Sequence, residues 1–146
     1  MDVVIDDRLL LAVLLRREPE GLAGLRRHGA LFTTGLWYHR LCRAVAGRRV
    51  VGRLTGTLAE APPEAAEAVL ASVTELPPTI GLLSLRDLAW PMGRMVQGHR
   101  LNLMALEALC AASRVGAAIC VEERNDSPGL AQAASEMGVT LIRVAA

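Results

Sequence analysis

The chain opens with Val3-Val4-Ile5, a β-branched run, and two carboxylates stand directly behind it. Seven apolar residues follow from Leu9 to Leu15, most of them leucine. β-Branching favours strand and unbranched leucine favours helix, so this order predicts a short buried strand followed by a helix. Pro19 and the glycines at 21, 24 and 29 predict a weak, broken second helix. Ala30 to Thr33 reads as another short strand. Gly35 to Ala46 reads as a helix with a buried stripe at Leu36, Trp37, Leu41, Ala44 and Val45, closed by Gly47. Residues 47–60 are ambiguous, with Gly52 and Gly56 as turn signals. Pro62 and Pro63 open a helix to about Val73, because proline is tolerated in a first turn. Pro77-Pro78 ends it, and a helical pattern resumes near Ser84 with an interruption at Pro91. Leu101 to Arg114 is helical and almost wholly apolar, so it belongs in the interior. Ala117 to Val121 predicts a strand, Ser127 to Met137 a helix, and Val139 to Val144 a last strand.

Strand and helix alternate at both ends of the chain, and the strands are short and apolar. That pattern predicts a central parallel sheet covered by helices on both faces, a three-layer α/β/α fold. With 146 residues the chain makes one domain, 1–146, without internal repeats. Hydrophobic residues at 52% and charged residues at 21% exclude a disordered linker. The run Leu9 to Leu15 is far short of the ~20 residues that span a bilayer. Its charged flanks do not fit a signal peptide, so no membrane partner is expected. Three cysteines, Cys42, Cys110 and Cys120, cannot all pair and form no C-x-x-C, which points to the reducing cytoplasm. The histidines at 28, 39 and 99 are too dispersed for an evident zinc site.

The net charge of +1 conceals a segregation. There is no lysine, and from Arg16 to Arg53 nine arginines face only Glu18 and Glu20, a balance of +7. Residues 54–85 hold four glutamates and no base. The arginine stretch is either the imprint of a GC-rich genome or a path for an RNA backbone, which guanidinium suits well.

In a parallel sheet, functional groups gather at the carboxyl ends of the strands. Asp6 and Asp7 end the first strand; Glu122, Glu123 and Asp126 follow the strand at 117–121. If those strands are neighbours, the two groups share a rim, where paired carboxylates suit a hydrated magnesium ion. Solvated loop acids are the other reading, and for Glu122 and Glu123 the expected one. Glu107 lies inside the apolar arc of its helix, among Leu103, Cys110 and Ala111. A carboxylate there must be paired, protonated or metal-bound, with Arg114 one candidate partner. Arg40 falls about 60° from the centre of its helix's buried stripe, whereas Arg43 points away. Arg40 either pairs with Asp6 or Glu107, or lies along the stripe's edge with its head in water.

An acidic pair after a first strand first suggests a response-regulator receiver. That needs a mid-chain aspartate and a late lysine; no aspartate occurs between Asp7 and Asp87, and lysine is absent. A different resemblance covers nearly the whole chain. "VVIDDRLLLAVLL", "FTTGLWYHRLCRAV", "LNLMALEALCAASRVGA" and "NDSPGLAQAASEMGVTLIRV" follow one another in the order of the four motifs of the PIN-domain family, the ribonuclease fold of the VapC-type toxins. The resemblance implies a three-layer α/β/α PIN-like domain, and a catalytic metal site of Asp6, Glu107 and Asp126 for Mg2+ or Mn2+. Asp7, Glu122 and Glu123 are additional acids, and they leave the register of the fourth motif open. Arg40 stands where the family places a glutamate, and Glu107 where aspartate is usual. A guanidinium in the pocket competes with a metal ion or, alternatively, holds the scissile phosphate.

The expectation is therefore a PIN-like module with an eroded metal site, non-catalytic or weakly active, that binds RNA or a protein partner and needs no cofactor. The alternative is a magnesium-dependent ribonuclease that hydrolyses RNA phosphodiesters. The family also implies a bacterial toxin–antitoxin setting, with a small antitoxin-like protein and a homodimer as candidate partners.

Overall fold

The computed structural model describes residues 1–47, 56, 58–125 and 127–145. Its elements run β1 (Val3–Ile5), α1 (Asp7–Leu14), α2 (Glu20–Arg26), β2 (Leu31–Thr34), α3 (Gly35–Ala46), α4 (Pro63–Thr74), β3 (Ile80–Leu83), α5 (Leu85–Met95), α6 (Leu103–Val115), β4 (Ala118–Glu122), a 3-10 turn (Glu123–Asn125), α7 (Leu130–Glu136) and β5 (Leu141–Val144). The five strands form one sheet in the order β3-β2-β1-β4-β5, parallel at every pairing. Helices cover both faces, which makes the fold a three-layer α/β/α sandwich.

Alternation along the strands divides the core in two. Val3, Ile5, Ala118 and Cys120 face a layer holding Leu9, Leu10 and Leu11 of α1, Leu22 of α2, Leu41 of α3, and Val69 and Val73 of α4. Val4, Ile119 and Val121 face the other layer, where Leu88 and Met92 of α5, most of α6, and Leu130, Ala133 and Ala134 of α7 pack. The chain steps from β1 out to β3, then returns across to β4 and β5. Right-handed crossovers in opposite directions must use opposite faces, so this reversal puts helices on both sides.

Three elements differ from the sequence expectation. β3 is not visible in the hydrophobic pattern: Ile80-Gly81-Leu82-Leu83 lacks alternation and lies on the sheet edge. Gly81 is needed there, since a Cβ would collide with the ring of Phe32 on β2. Pro91 does not interrupt α5, which runs through it to Met95. Pro91 is exposed, and the buried Leu88 and Met92 anchor the helix on either side of it. Helix α2 is continuous through Gly21 and Gly24, held by the fully buried Leu22. Most of the ambiguous stretch at 47–60 lies outside the described residues.

Candidate functional site at the carboxyl edge of the sheet

The strand order reverses between β1 and β4, and ligands of parallel α/β sheets bind outside the carboxyl ends at such a point. Val3, Val4 and Ile5 pair with Ala118, Ile119 and Cys120. That register brings the turn after β1 against the turn after β4, so Asp6 and Asp7 share a rim with Glu122 and Glu123.

Asp6 is the N-cap of α1 and is completely buried. Its Oδ1 accepts the backbone N–H of Leu9 at 2.9 Å, an ordinary capping bond. Its Oδ2 accepts two more donors, the N–H of Glu122 at 2.9 Å and Nδ2 of Asn125 at 2.7 Å. Burial nonetheless pushes the Asp6 carboxyl up to about 6, because desolvation outweighs those three bonds and Asp7 adds like charge. Asp7, first residue of α1, is equally buried. Asn125 Nδ2 also donates to Asp7 Oδ1 at 3.0 Å, so a single amide ties the two carboxylates together. Arg40 Nε lies 3.0 Å from Asp7 Oδ2, an ion pair by distance whose N–H direction does not make a hydrogen bond. Burial raises the Asp7 pKa, while Arg40, Asn125 and Arg8 hold it down.

Of the two positions open to Arg40, it takes the inward one at its Nε, but its partner is Asp7 and not Asp6 or Glu107. Asp6 is engaged instead by three N–H donors, from Leu9, Glu122 and Asn125. The Arg40 guanidinium also lies against Met104, with Nη1 3.9 Å from Sδ. Arg43 is exposed.

Glu107 sits in the middle of α6 with no exposed surface. It makes no salt bridge to Arg114. Its Oε2 accepts the backbone N–H of Leu36 at 2.8 Å, in the first turn of α3, where the helix dipole favours negative charge. Gly35 allows this approach: a Cβ at that position would stand 3.3 Å from Glu107 Oε1. That oxygen is buried without a hydrogen-bond donor.

Of the additional acids, Glu122 is not a solvated loop acid. It ends β4 in the interior and receives Arg8 Nη1 at 2.7 Å, because the last strand residue points under α1. Glu123 is exposed, as expected. Asp126 lies outside the described residues. Asn125 is the site residue that the sequence reading missed; its only signal is an amide inside the polar run "EERND" behind a buried strand.

A magnesium ion needs several oxygens free at one point. Asp6 Oδ2 carries two N–H donors, Asp7 faces a guanidinium, and Glu107 bonds to a helix terminus. Among the described residues, no three acidic, histidine or cysteine side chains gather where they would hold a metal. Asp6 and Glu107 are thus engaged by backbone and amide donors, and Asp126, the third expected ligand, lies outside the described residues.

Beside Arg40 lies a pocket of about 220 Å³, walled by Arg40, Arg124, Asn102, Asn125, Ser127 and Trp37 among others. None of its described lining residues is acidic. Asn102 caps α6 through the N–H of Ala105 and donates its own amide to Ser127 Oγ at 3.1 Å. Of the six described arginines between Arg16 and Arg43, only Arg40 lines it. Arg26 instead pairs with Glu18, and the others are exposed.

No protein-family model matches this chain, and none of the curated proteins matches it. Among the described residues no helix is long and apolar enough to cross a membrane.

Proposed function

We propose that this chain is a PIN-like domain that binds RNA at the carboxyl edge of its sheet and does not cleave it. One observation carries this reading: the Arg40 guanidinium, 3.0 Å from the buried Asp7, occupies the rim with a fixed positive charge. A fixed cation satisfies a buried carboxylate without a metal, and it repels any divalent ion brought beside it. The guanidinium and amide lining of the adjoining pocket supports an anionic ligand over a cationic one. The PIN assignment itself rests on the order of the four sequence motifs, and an α/β/α fold is compatible with it. On this reading the protein works in the cytoplasm, where its three free cysteines stay reduced.

The runner-up is a magnesium-dependent toxin ribonuclease. Two buried carboxylate oxygens without hydrogen bonds, Asp7 Oδ2 and Glu107 Oε1, favour it. Manganese titration by calorimetry separates the two readings. The native protein should bind no manganese at millimolar concentration, and single-stranded RNA should remain intact while being bound. Arg40→Glu should gain a metal site. Metal-dependent RNA cleavage by the native protein, lost in Asp6→Asn, would establish the ribonuclease instead.

A further inference from the structure

We infer that the pocket beside Arg40 takes a phosphomonoester, the terminal phosphate of an RNA strand, in preference to the internal phosphodiesters of its backbone. This rests on the RNA-binding reading above and narrows it to one end of the ligand.

The pocket's size sets the first limit. At about 220 Å³ it falls below the ~300–1,000 Å³ of sites that enclose a drug-sized molecule. A phosphate with part of its sugar fits that scale, whereas a whole nucleotide exceeds it. Such a concavity receives a chain end more readily than a backbone that must run through.

Its donors set the second limit. Arg40 meets Asp7 through Nε, and its Nη1 lies 3.9 Å from Sδ of Met104, another residue of the pocket lining. Arg124, in the 3-10 turn after β4, makes no ion pair with any described residue. Asn102 and Ser127 add neutral polar groups to the lining, while the Asn125 amide is committed to Asp6 and Asp7. The first turn of α6 contributes the positive end of a 13-residue helix. A terminal phosphate carries about −1.5 to −2 at neutral pH and three acceptor oxygens. An internal phosphodiester carries a single charge and two free oxygens. Two guanidiniums, of which Arg40 alone is paired with a carboxylate among the described residues, match the monoester better.

A monoester can stand at either end of an RNA strand, so both 5′ and 3′ phosphates belong in the test. Fluorescence anisotropy would compare one short single-stranded RNA in three forms: 5′-phosphorylated, 3′-phosphorylated, and hydroxyl at both ends. Native protein should bind one phosphorylated form about tenfold or more tighter than the hydroxyl form, the scale of a hydrogen bond to a charged group. Arg124→Gln, at an exposed position that does not endanger folding, should erase that preference, so that the phosphorylated and hydroxyl forms bind alike. Equal affinity for all three RNAs would overturn the inference while leaving RNA binding intact. A preference that survives Arg124→Gln would move the phosphate to some other site and also overturn it. Ribose 5-phosphate is the last arm, followed by calorimetry. Its binding, lost in Arg124→Gln, without binding of any RNA, would keep the phosphate site and refute the RNA reading. Binding of neither class refutes both.

Discussion

Arg40 meets Asp7 at 3.0 Å across the gap between α3 and the start of α1, and Asp7 has no exposed surface. The guanidinium is half exposed and the carboxylate is not, so the pair is asymmetric. Removing the arginine strands a buried charge, whereas removing the aspartate frees a side chain that water can solvate.

Arg40→Gln should therefore destabilise the fold at pH 7 by about 1–2 kcal/mol, less than a fully buried pair because the arginine is screened by solvent. The loss should shrink at acid pH, once Asp7, whose pKa burial raises, takes up a proton and needs no counter-charge. Urea unfolding at neutral and at acid pH checks this. An equal loss at both would mean that the contact is packing and not charge.

Asp6 gives the fold its own pH dependence. Its carboxyl stands near 6 when folded against 3.8 for the free side chain, raised by burial. Between those values the folded state holds a proton that the unfolded chain has released. The contribution is fully present below about pH 4 and is lost as pH rises through 6, about 3 kcal/mol in all. Asp7, also raised, acts in the same direction. Denaturation midpoints should fall from pH 4 to pH 6.5, and Asp6→Asn should flatten that slope. A midpoint that climbs across this window would contradict the burial of Asp6.

Glu107 accepts a helix N-terminal N–H from inside the core. Glu107→Ala should cost about 2–4 kcal/mol, through a cavity and an orphaned Leu36 N–H. Glu107→Gln keeps a carbonyl oxygen for that N–H and should lose much less. If the two variants prove equally destabilised, the carboxyl's charge matters more than its hydrogen bond.

Arg16 follows the C-cap of α1 with φ +57°, the one non-glycine residue with positive φ among the described residues. The N–H groups of Arg17 and Arg16 bond back to the carbonyls of Ala12 and Val13, the paired bonds of a left-handed helix stop. Glycine is the residue that this backbone prefers. Arg16→Gly should stabilise the protein by about 0.5–1 kcal/mol, or roughly 2–4 °C in Tm. Thermal unfolding with no change or a loss would show that the arginine side chain has a compensating contact.

Much of this architecture was readable along the chain, because it follows from local chemistry. β-Branching marked β1, the leucine run marked α1, and the apolar stripe marked α3 to within its observed ends. The acid after β1 marked a rim. The same local chemistry misjudged Pro91, whose cost is overcome by burial of Leu88 and Met92, and missed β3, whose strand character comes from pairing with β2. Those contacts join residues far apart in sequence, so no window along the chain contains them.

The site shows the same division. Sequence established that Asp6 and Asp7 stand at a strand end, that Glu107 is a carboxylate needing a partner, and that Arg40 lies at the margin of its helix's buried stripe. Tertiary structure alone chose the partners: Asn125 for both aspartates, Arg40 for Asp7, and the first turn of α3 for Glu107. The reason is physical. Burial and periodicity are properties of a position on its own helix or strand, so the chain encodes them locally. A hydrogen bond or ion pair depends on separations of about 3 Å between different elements, and these exist only once the strand order has set β1 beside β4.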